Sequence, residues 1–213
     1  AALSVALAHA LNALSHGNGD AEAVAHEGHL DFQGRLGSGV DIASSNAGGI
    51  VEYVMDGRSA SRLAMPTGLE CRLFWSGTPA STGIKIERLS SHGPKPSKAA
   101  LVVSARRVAK AWAGGSADEV LTRTRNYIQV LQEFDADHEL GIFDAGHAEM
   151  TAAAAEAGLI YKPCGAGGGD IGILLADNAA HADEFIDAGL PGEFQALDLH
   201  YEEQGAEVMR EEQ

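Results

Sequence analysis

Two glycine-rich segments carry the residues whose types and spacing could do chemistry. In the first, Asp41 lies within the run G-S-G-V-D-I-A at residues 37–43. A carboxylate held in a glycine-rich turn can accept a proton from a hydroxyl or a phosphate, so Asp41 is a candidate general base. Taken alone, the same pattern is more typical of an Asx turn or a helix cap.

The second segment lies between two predicted strands near the end of the chain. Consecutive backbone N–H groups in such a loop can bind an anion, although a tight hairpin is the simpler alternative. The loop does not end in Gly-Lys-Ser/Thr and does not open a helix, which argues against a Walker loop and against a flavin or nicotinamide site. Its residues are Gly165, Ala166, Gly167, Gly168, Gly169 and Asp170.

Composition restricts the classes of partner. The chain has 213 residues and a formal charge of −15, so we expect neither nucleic acid nor an anionic membrane surface as a partner. No apolar run approaches the ~20 residues that span a bilayer. Two cysteines are too few for a disulfide framework, and no basic-then-apolar leader is seen, which predicts a cytoplasmic protein. An anionic substrate would then need a local positive or amide-lined pocket.

Hydrophobic periodicity and turn signals predict an α+β protein in two parts. The first part, residues 1–68, should begin with a helix whose leucines recur at helical spacing and end in a hairpin turned at Asp56-Gly57. The second part, residues 69–213, has the predicted order strand, helices, strand, strand, helix, strand. That order is typical of a ferredoxin-like, split βαβ domain.

Nine histidines raise the question of a metal site. His26 and His29 are three residues apart, whereas zinc-binding helices prefer a spacing of four, and no H-E-x-x-H pattern is present. We therefore predict no metal ligands in this chain and expect these histidines to be exposed on a helix. Arg106, Arg107 and Lys110 are predicted to form a solvated helix face, with a phosphate clamp as the alternative.

Taken together, the two glycine-rich segments resemble those of the GHMP kinases. G-S-G-x-D-I-A, then S-G-x-P-A-S-T at residues 76–82, then G-A-G-G-G-D follow the family's order along nearly the whole chain. Within the family, the pattern is most similar to that of the phosphomevalonate kinases. The resemblance implies a first domain like domain 2 of ribosomal protein S5, followed by a ferredoxin-like domain. It also implies phosphoryl transfer from ATP, with Mg²⁺, to a small phosphorylated substrate, mevalonate 5-phosphate.

The resemblance further implies roles for individual residues. Asp41 corresponds to the catalytic base, or to the group that orients the transition state. Residues 165–170 correspond to the loop beside the bound phosphates. Further substrate contacts are implied for Ser38, Gly39, Ser76 and Ser81.

Two motifs of the family are expected upstream of Ala1. Neither the lysine-bearing first strand nor the P-x-x-x-G-L-G-S-S-A loop that binds ATP occurs here, and residues 1–3 resemble those that follow that loop. We therefore predict little or no kinase activity for this chain alone, and a homodimer or companion chain that covers the missing half. The alternatives are a mevalonate kinase or another GHMP kinase, and a non-catalytic module that binds a metabolite or a partner.

Overall fold

The computed structural model describes residues 1–15, 17, 19–35, 37–91, 93, 95–199 and 202–209. It divides the chain into two compact units, the first formed by residues 1–64 with 200–213 and the second by residues 65–199. Within the described residues, no helix has both the length and the apolar character needed to cross a membrane.

The first unit consists of three helices and a hairpin. They are α1 (Ala2–Leu14), α2 (Ala21–Phe32), α3 (Val40–Ala47) and the antiparallel strands β1 (Ile50–Val54) and β2 (Ser59–Leu63). Helix α2 starts at its sequence signal, because the Asp20 carboxylate accepts a hydrogen bond from the Ala23 amide. Gly57 has a φ of 81° in the predicted hairpin turn, a conformation that favours glycine.

The leucine stripe of α1 does not face the core of this unit. Val5 and Ala8 are the buried residues of the helix, and they pack in a small cluster with residues of α2 and α3. The stripe itself is between 54% and 81% exposed at Leu3, Leu7, Leu11 and Leu14. Exposed apolar faces favour association. A homodimer or a companion chain that covers this surface stays a prediction.

We expect the double substitution Leu7→Lys with Leu11→Lys to reduce self-association of the chain while leaving its helix content unchanged. Both side chains are more than half exposed, so their replacement removes apolar surface without opening the core. Sedimentation velocity over a micromolar concentration series measures the effect. The matched control is Ala6→Lys with Ala10→Lys, which adds the same charge to exposed positions of α1 and keeps the leucines. A wild-type chain that sediments as a stable monomer would contradict the prediction.

The second unit follows the predicted order of elements. Its helices and strands are β3 (Glu70–Trp75), α4 (Thr82–Ser91), α5 (Pro96–Gly114), α6 (Ala117–His138), α7 (His147–Glu156), β4 (Ile160–Pro163), β5 (Ile171–Ala176), α8 (Ala179–Asp187) and β6 (Gln195–Leu197). The Ser116 hydroxyl caps α6 by accepting from the Glu119 amide at 3.2 Å. The last strand is predicted over residues 194–201 but is shorter, and residues 200–201 lie outside the described residues.

These four strands form one antiparallel sheet in the order β4-β5-β3-β6. Successive residues of a strand point to opposite faces, so Ile160 and Leu175 enter the core formed with α5 and α6. Their neighbours Tyr161 and Leu174 enter the core formed with α7 and α8. The α+β class is confirmed, and the likeness of the first unit to an S5 domain stays a prediction.

Candidate active site

Asp41 lies in the first turn of α3, where a carboxylate interacts favourably with the positive end of the helix dipole. Its Oδ2 lies 2.7 Å from Nε2 of His29, and its Oδ1 accepts a hydrogen bond from the Ile42 amide at 3.0 Å. The carboxylate is thus held at both oxygens, yet its side chain remains 41% exposed. A base that is fixed in orientation and open to solvent can meet a substrate without first reorganising.

Ser38 and Gly39 shape the turn that precedes Asp41. Gly39 caps α3 with a φ of 83°, and a side chain there would collide with Nε2 of His26. Ser38 is exposed, its hydroxyl accepts from the Val40 amide at 3.3 Å, and its carbonyl accepts from the Tyr53 hydroxyl at 3.3 Å. Both residues therefore lie beside the candidate base, and their contacts with an acceptor stay a prediction.

The expectation of exposed histidines on α2 is wrong. Both His26 and His29 are buried, because α2 turns this face towards the Ser38–Asp41 turn. His29 binds Asp41, whereas neither ring nitrogen of His26 has a hydrogen-bond partner among the described residues. Their spacing along α2 was visible in the sequence, but only the fold shows what they face.

We expect His26→Phe to stabilise α2 by about 1 kcal/mol, because a ring of similar shape removes two buried nitrogens that lack a hydrogen-bond partner among the described residues. Native-state hydrogen exchange of the α2 amides measures the change. His29→Phe is the matched control on the same helix. It should lower stability, because it deprives Asp41 of its 2.7 Å partner. Faster exchange in the His26→Phe protein would show that the prediction is wrong.

An ion-pair network lies on the outer side of α2. Arg35 and Arg58 donate to Glu27 at 3.0 and 3.2 Å, and these hydrogen bonds lower the pKa of the Glu27 carboxyl. Arg35 also binds Asp31. Glu27 and Asp31 are therefore engaged by arginines. Across the part of the chain that the structure describes, no three His, Cys, Asp or Glu residues form a group that could hold a metal ion.

In the second unit, the glycine loop (residues 165–170) packs its backbone closely against the backbone of other segments. A side chain at Gly167 would meet the backbone of Ile142, one at Gly168 the carbonyl oxygen of Gly141, and one at Gly169 the backbone of residues 78–80. Gly165 differs, because a Cβ there would meet nothing within 4 Å. Most of the glycine run is thus explained by close packing, and its first residues form the open part.

Several loop amides already donate hydrogen bonds to carbonyl oxygens of the protein. Those of Gly167, Gly168 and Asp170 donate to carbonyl oxygens of Cys164, Ile142 and Thr78 at 3.1, 2.7 and 2.7 Å. Among the described residues, no acceptor is found for the amides of Gly165, Ala166 and Gly169. The amides that remain available to bind an anion are therefore these three, and those of Gly165 and Ala166 lie in the open part of the loop.

A buried histidine on α7 forms a hydrogen bond with the glycine loop. His147 Nε2 lies 3.0 Å from the carbonyl oxygen of Gly169, so this nitrogen carries the proton and donates. His147 Nδ1 then accepts from the Tyr161 hydroxyl at 2.8 Å. Burial lowers the pKa of His147, the hydrogen bond to Gly169 opposes this shift, and the positive charges of Lys85 and Lys162 act in the same direction as burial. Sequence reasoning missed this residue, because it lies on α7, far from either motif in the chain.

Ser76 and Ser81 differ in their surroundings. Ser76 is buried, its hydroxyl donates to the Thr78 carbonyl at 3.1 Å, and its amide donates to the carbonyl of Asp170 at 2.9 Å. Ser81 is exposed. Ser76 therefore joins the S-G-T-P segment to the glycine loop, so its hydroxyl is occupied by the turn, whereas Ser81 is open to solvent.

The predicted site residues are distributed over both units. The first unit holds Ser38, Gly39 and Asp41, which the structure brings together with His26 and His29. The second unit holds the remaining set, in which Ser76 and the glycine loop are brought together: Ser76, Ser81, Gly165, Ala166, Gly167, Gly168, Gly169 and Asp170.

Comparisons with known proteins find kinases among the proteins that this chain resembles. No family model matches the chain. Phosphomevalonate kinase from Streptomyces sp. (strain CL190) is 31% identical over 176 residues, which are 69% of this chain and 47% of that protein. The chain thus spans about half the length of this curated relative.

Solved structures share the fold at lower identity. A Lin0012 protein from Listeria innocua has a TM-score of 0.75 at 20% identity, over 91% of this chain and 66% of its own. Phosphomevalonate kinase from Streptococcus pneumoniae, in complex with phosphomevalonate and AMPPNP, has a TM-score of 0.70 at 18% identity, over 91% and 66%. Mevalonate kinase from L. major has a TM-score of 0.66 at 17% identity, over 96% and 64%.

Proposed function

Because this chain is phosphomevalonate kinase-like and has the α+β fold of the GHMP kinases, we propose that the whole protein transfers the γ-phosphoryl group of ATP to mevalonate 5-phosphate. A bond forms between an oxygen of the acceptor phosphate and the γ-phosphorus. The bond from the γ-phosphorus to the bridging oxygen breaks, and ADP leaves. The products are mevalonate 5-diphosphate and ADP.

The observation that carries this proposal is the fixed, partly exposed carboxylate of Asp41. Phosphoryl transfer requires little covalent chemistry from the protein, so orientation of the attacking oxygen is a large part of catalysis. In this proposal, Asp41 accepts the proton of the acceptor phosphate or aligns its oxygen. His29 and the Ile42 amide keep the carboxylate in one orientation while it does so.

We assign the glycine loop to phosphate binding through its uncommitted amides. Gly165 and Ala166 present N–H donors at the open part of the loop, which suits the oxygens of a phosphate group. ATP supplies the phosphoryl group, and Mg²⁺ would neutralise its charge. We assign no protein ligand to Mg²⁺.

The test is a substrate comparison with the full-length gene product. Phosphorus NMR should show ATP-dependent formation of a diphosphate from mevalonate 5-phosphate, with much lower turnover of mevalonate and of homoserine. The same assay on this chain alone tests the expectation of little or no activity. If the full-length protein consumes ATP with mevalonate but not with its phosphate, the proposal that mevalonate 5-phosphate is the acceptor is wrong. If no acceptor is phosphorylated, kinase activity itself is wrong.

A further inference from the structure

Lys85 is a basic residue that neither glycine-rich motif contains, and it contacts the glycine loop. It lies on α4, and its ammonium group occupies the space that a Cβ on Gly168 would need. One of its donors binds the carbonyl oxygen of Gly141 at 2.7 Å. An ammonium has three donors, and among the described residues no carboxylate forms an ion pair with this one.

The surroundings of Lys85 hold charges of both signs. Asp135 and Asp144 are near enough to favour its charged form, while burial acts more strongly and lowers its pKa, with Arg88 in the same direction. Asp135 is occupied, because its two oxygens accept from the amides of Ile142 and Phe143 at 2.9 and 3.2 Å. The ammonium is therefore partly desolvated, and no carboxylate among the described residues accepts a hydrogen bond from it.

Two lysines bring positive charge to this part of an acidic chain. Lys85 and Lys162 both act on His147, which itself binds the loop at Gly169. The chain as a whole has a net charge of −15. A lysine that borders a loop with uncommitted amides is the local positive, amide-lined surface that an anion requires in such a protein.

We propose that Lys85 is an anion-binding residue of the glycine loop, and that its ligand is a phosphate group. The identity of the phosphate rests on the proposed function, in which both the nucleotide and the acceptor carry one. In that reaction, Lys85 contacts a phosphate oxygen and neutralises its charge, while the amides of Gly165 and Ala166 bind further oxygens. Lys85 thereby extends the site to a helix that neither motif includes.

Calorimetric titration of this chain tests the proposal with four compounds: inorganic pyrophosphate, ATP, mevalonate 5-phosphate and mevalonate. We expect Lys85→Met to weaken binding of the phosphate compounds about tenfold or more, because it removes a charge-assisted hydrogen bond. Lys85→Arg should retain part of the affinity, since it keeps the charge. The matched control is Lys98→Met, an exposed lysine of α5 with the same change in charge. Circular dichroism confirms that each variant is folded.

The outcomes separate this proposal from the proposed function. Binding of pyrophosphate or ATP that depends on Lys85, without binding of mevalonate 5-phosphate, would support Lys85 and count against the acceptor. Affinities that are equal in wild type, Lys85→Met and Lys98→Met would overturn the role of Lys85. A wild-type chain that binds none of the three phosphate compounds would overturn it as well.

Discussion

Replacing Asp41 by Asn is expected to lower kcat of the full-length enzyme about 10²- to 10⁴-fold, with little change in KM for the acceptor. Asparagine keeps the size of the side chain and can still accept from the Ile42 amide, so the turn should be preserved. It loses the negative charge that accepts a proton or aligns the attacking oxygen. Initial rates with mevalonate 5-phosphate and ATP measure the effect.

Asp56→Asn is the control for the Asp41 variant. Asp56 is an exposed residue in the turn between β1 and β2, so its substitution makes the same change in charge within the same unit. We expect kcat close to that of wild type. An Asp41→Asn enzyme as fast as the control would remove Asp41 from the mechanism. Loss of kcat together with loss of folding would instead point to a structural role for the His29–Asp41 pair.

Replacing His147 by Ala is expected to destabilise the second unit by about 3–5 kcal/mol. The substitution opens a cavity at a fully buried position and leaves two buried groups, the Tyr161 hydroxyl and the Gly169 carbonyl, without their partner. Urea unfolding followed by tryptophan fluorescence measures this unit, because both tryptophans, Trp75 and Trp112, lie within it.

Tyr161→Phe provides the graded control for the His147 variant. It keeps the ring in the core and removes one hydroxyl, so we expect a smaller loss of about 1–2 kcal/mol. A His147→Ala protein that unfolds at the same urea concentration as wild type would show that these hydrogen bonds contribute no stability. The support that His147 gives to the glycine loop would then be absent as well.

The stability that His147 provides should depend on pH. Burial lowers its pKa in the folded protein below the ordinary value of 6.5, so the unfolded chain binds a proton more readily. The contribution is therefore present above pH 6.5 and is lost as the pH falls through the folded pKa. We expect the difference in unfolding free energy between wild type and His147→Ala to shrink from about pH 8 to about pH 5. A difference that grows towards low pH would contradict this sign.

Local signals in the sequence were sufficient for most elements. Asp56-Gly57 marks the hairpin, and Ser116 marks the start of α6. Each of these signals acts through neighbours along the chain, by turn geometry or capping. The order of elements in the second unit could therefore be predicted before any contact was known.

The candidate site was only partly predictable, because its supporting contacts join distant segments. Asp41 and the glycine loop carry recognisable patterns, whereas His29 and Lys85 carry none. The burial of His26 and His29 depends on how α2 packs on the turn before α3, which the spacing of histidines does not encode. Lys85 reaches Gly168 only after α4 folds onto the loop. These are tertiary contacts, which the periodicity of the sequence does not predict.

The crowded backbone of the glycine loop has a consequence for mutational screens. In a saturation library, Gly167, Gly168 and Gly169 should tolerate substitution as poorly as a catalytic residue would, because any side chain displaces a packed segment. Their low scores would report steric exclusion and say nothing about ligand contact. Lys85 is not subject to this steric exclusion, because its neighbours already accommodate a long side chain. A selection that measures growth and protein abundance in parallel would thus separate the two kinds of intolerance along a single loop.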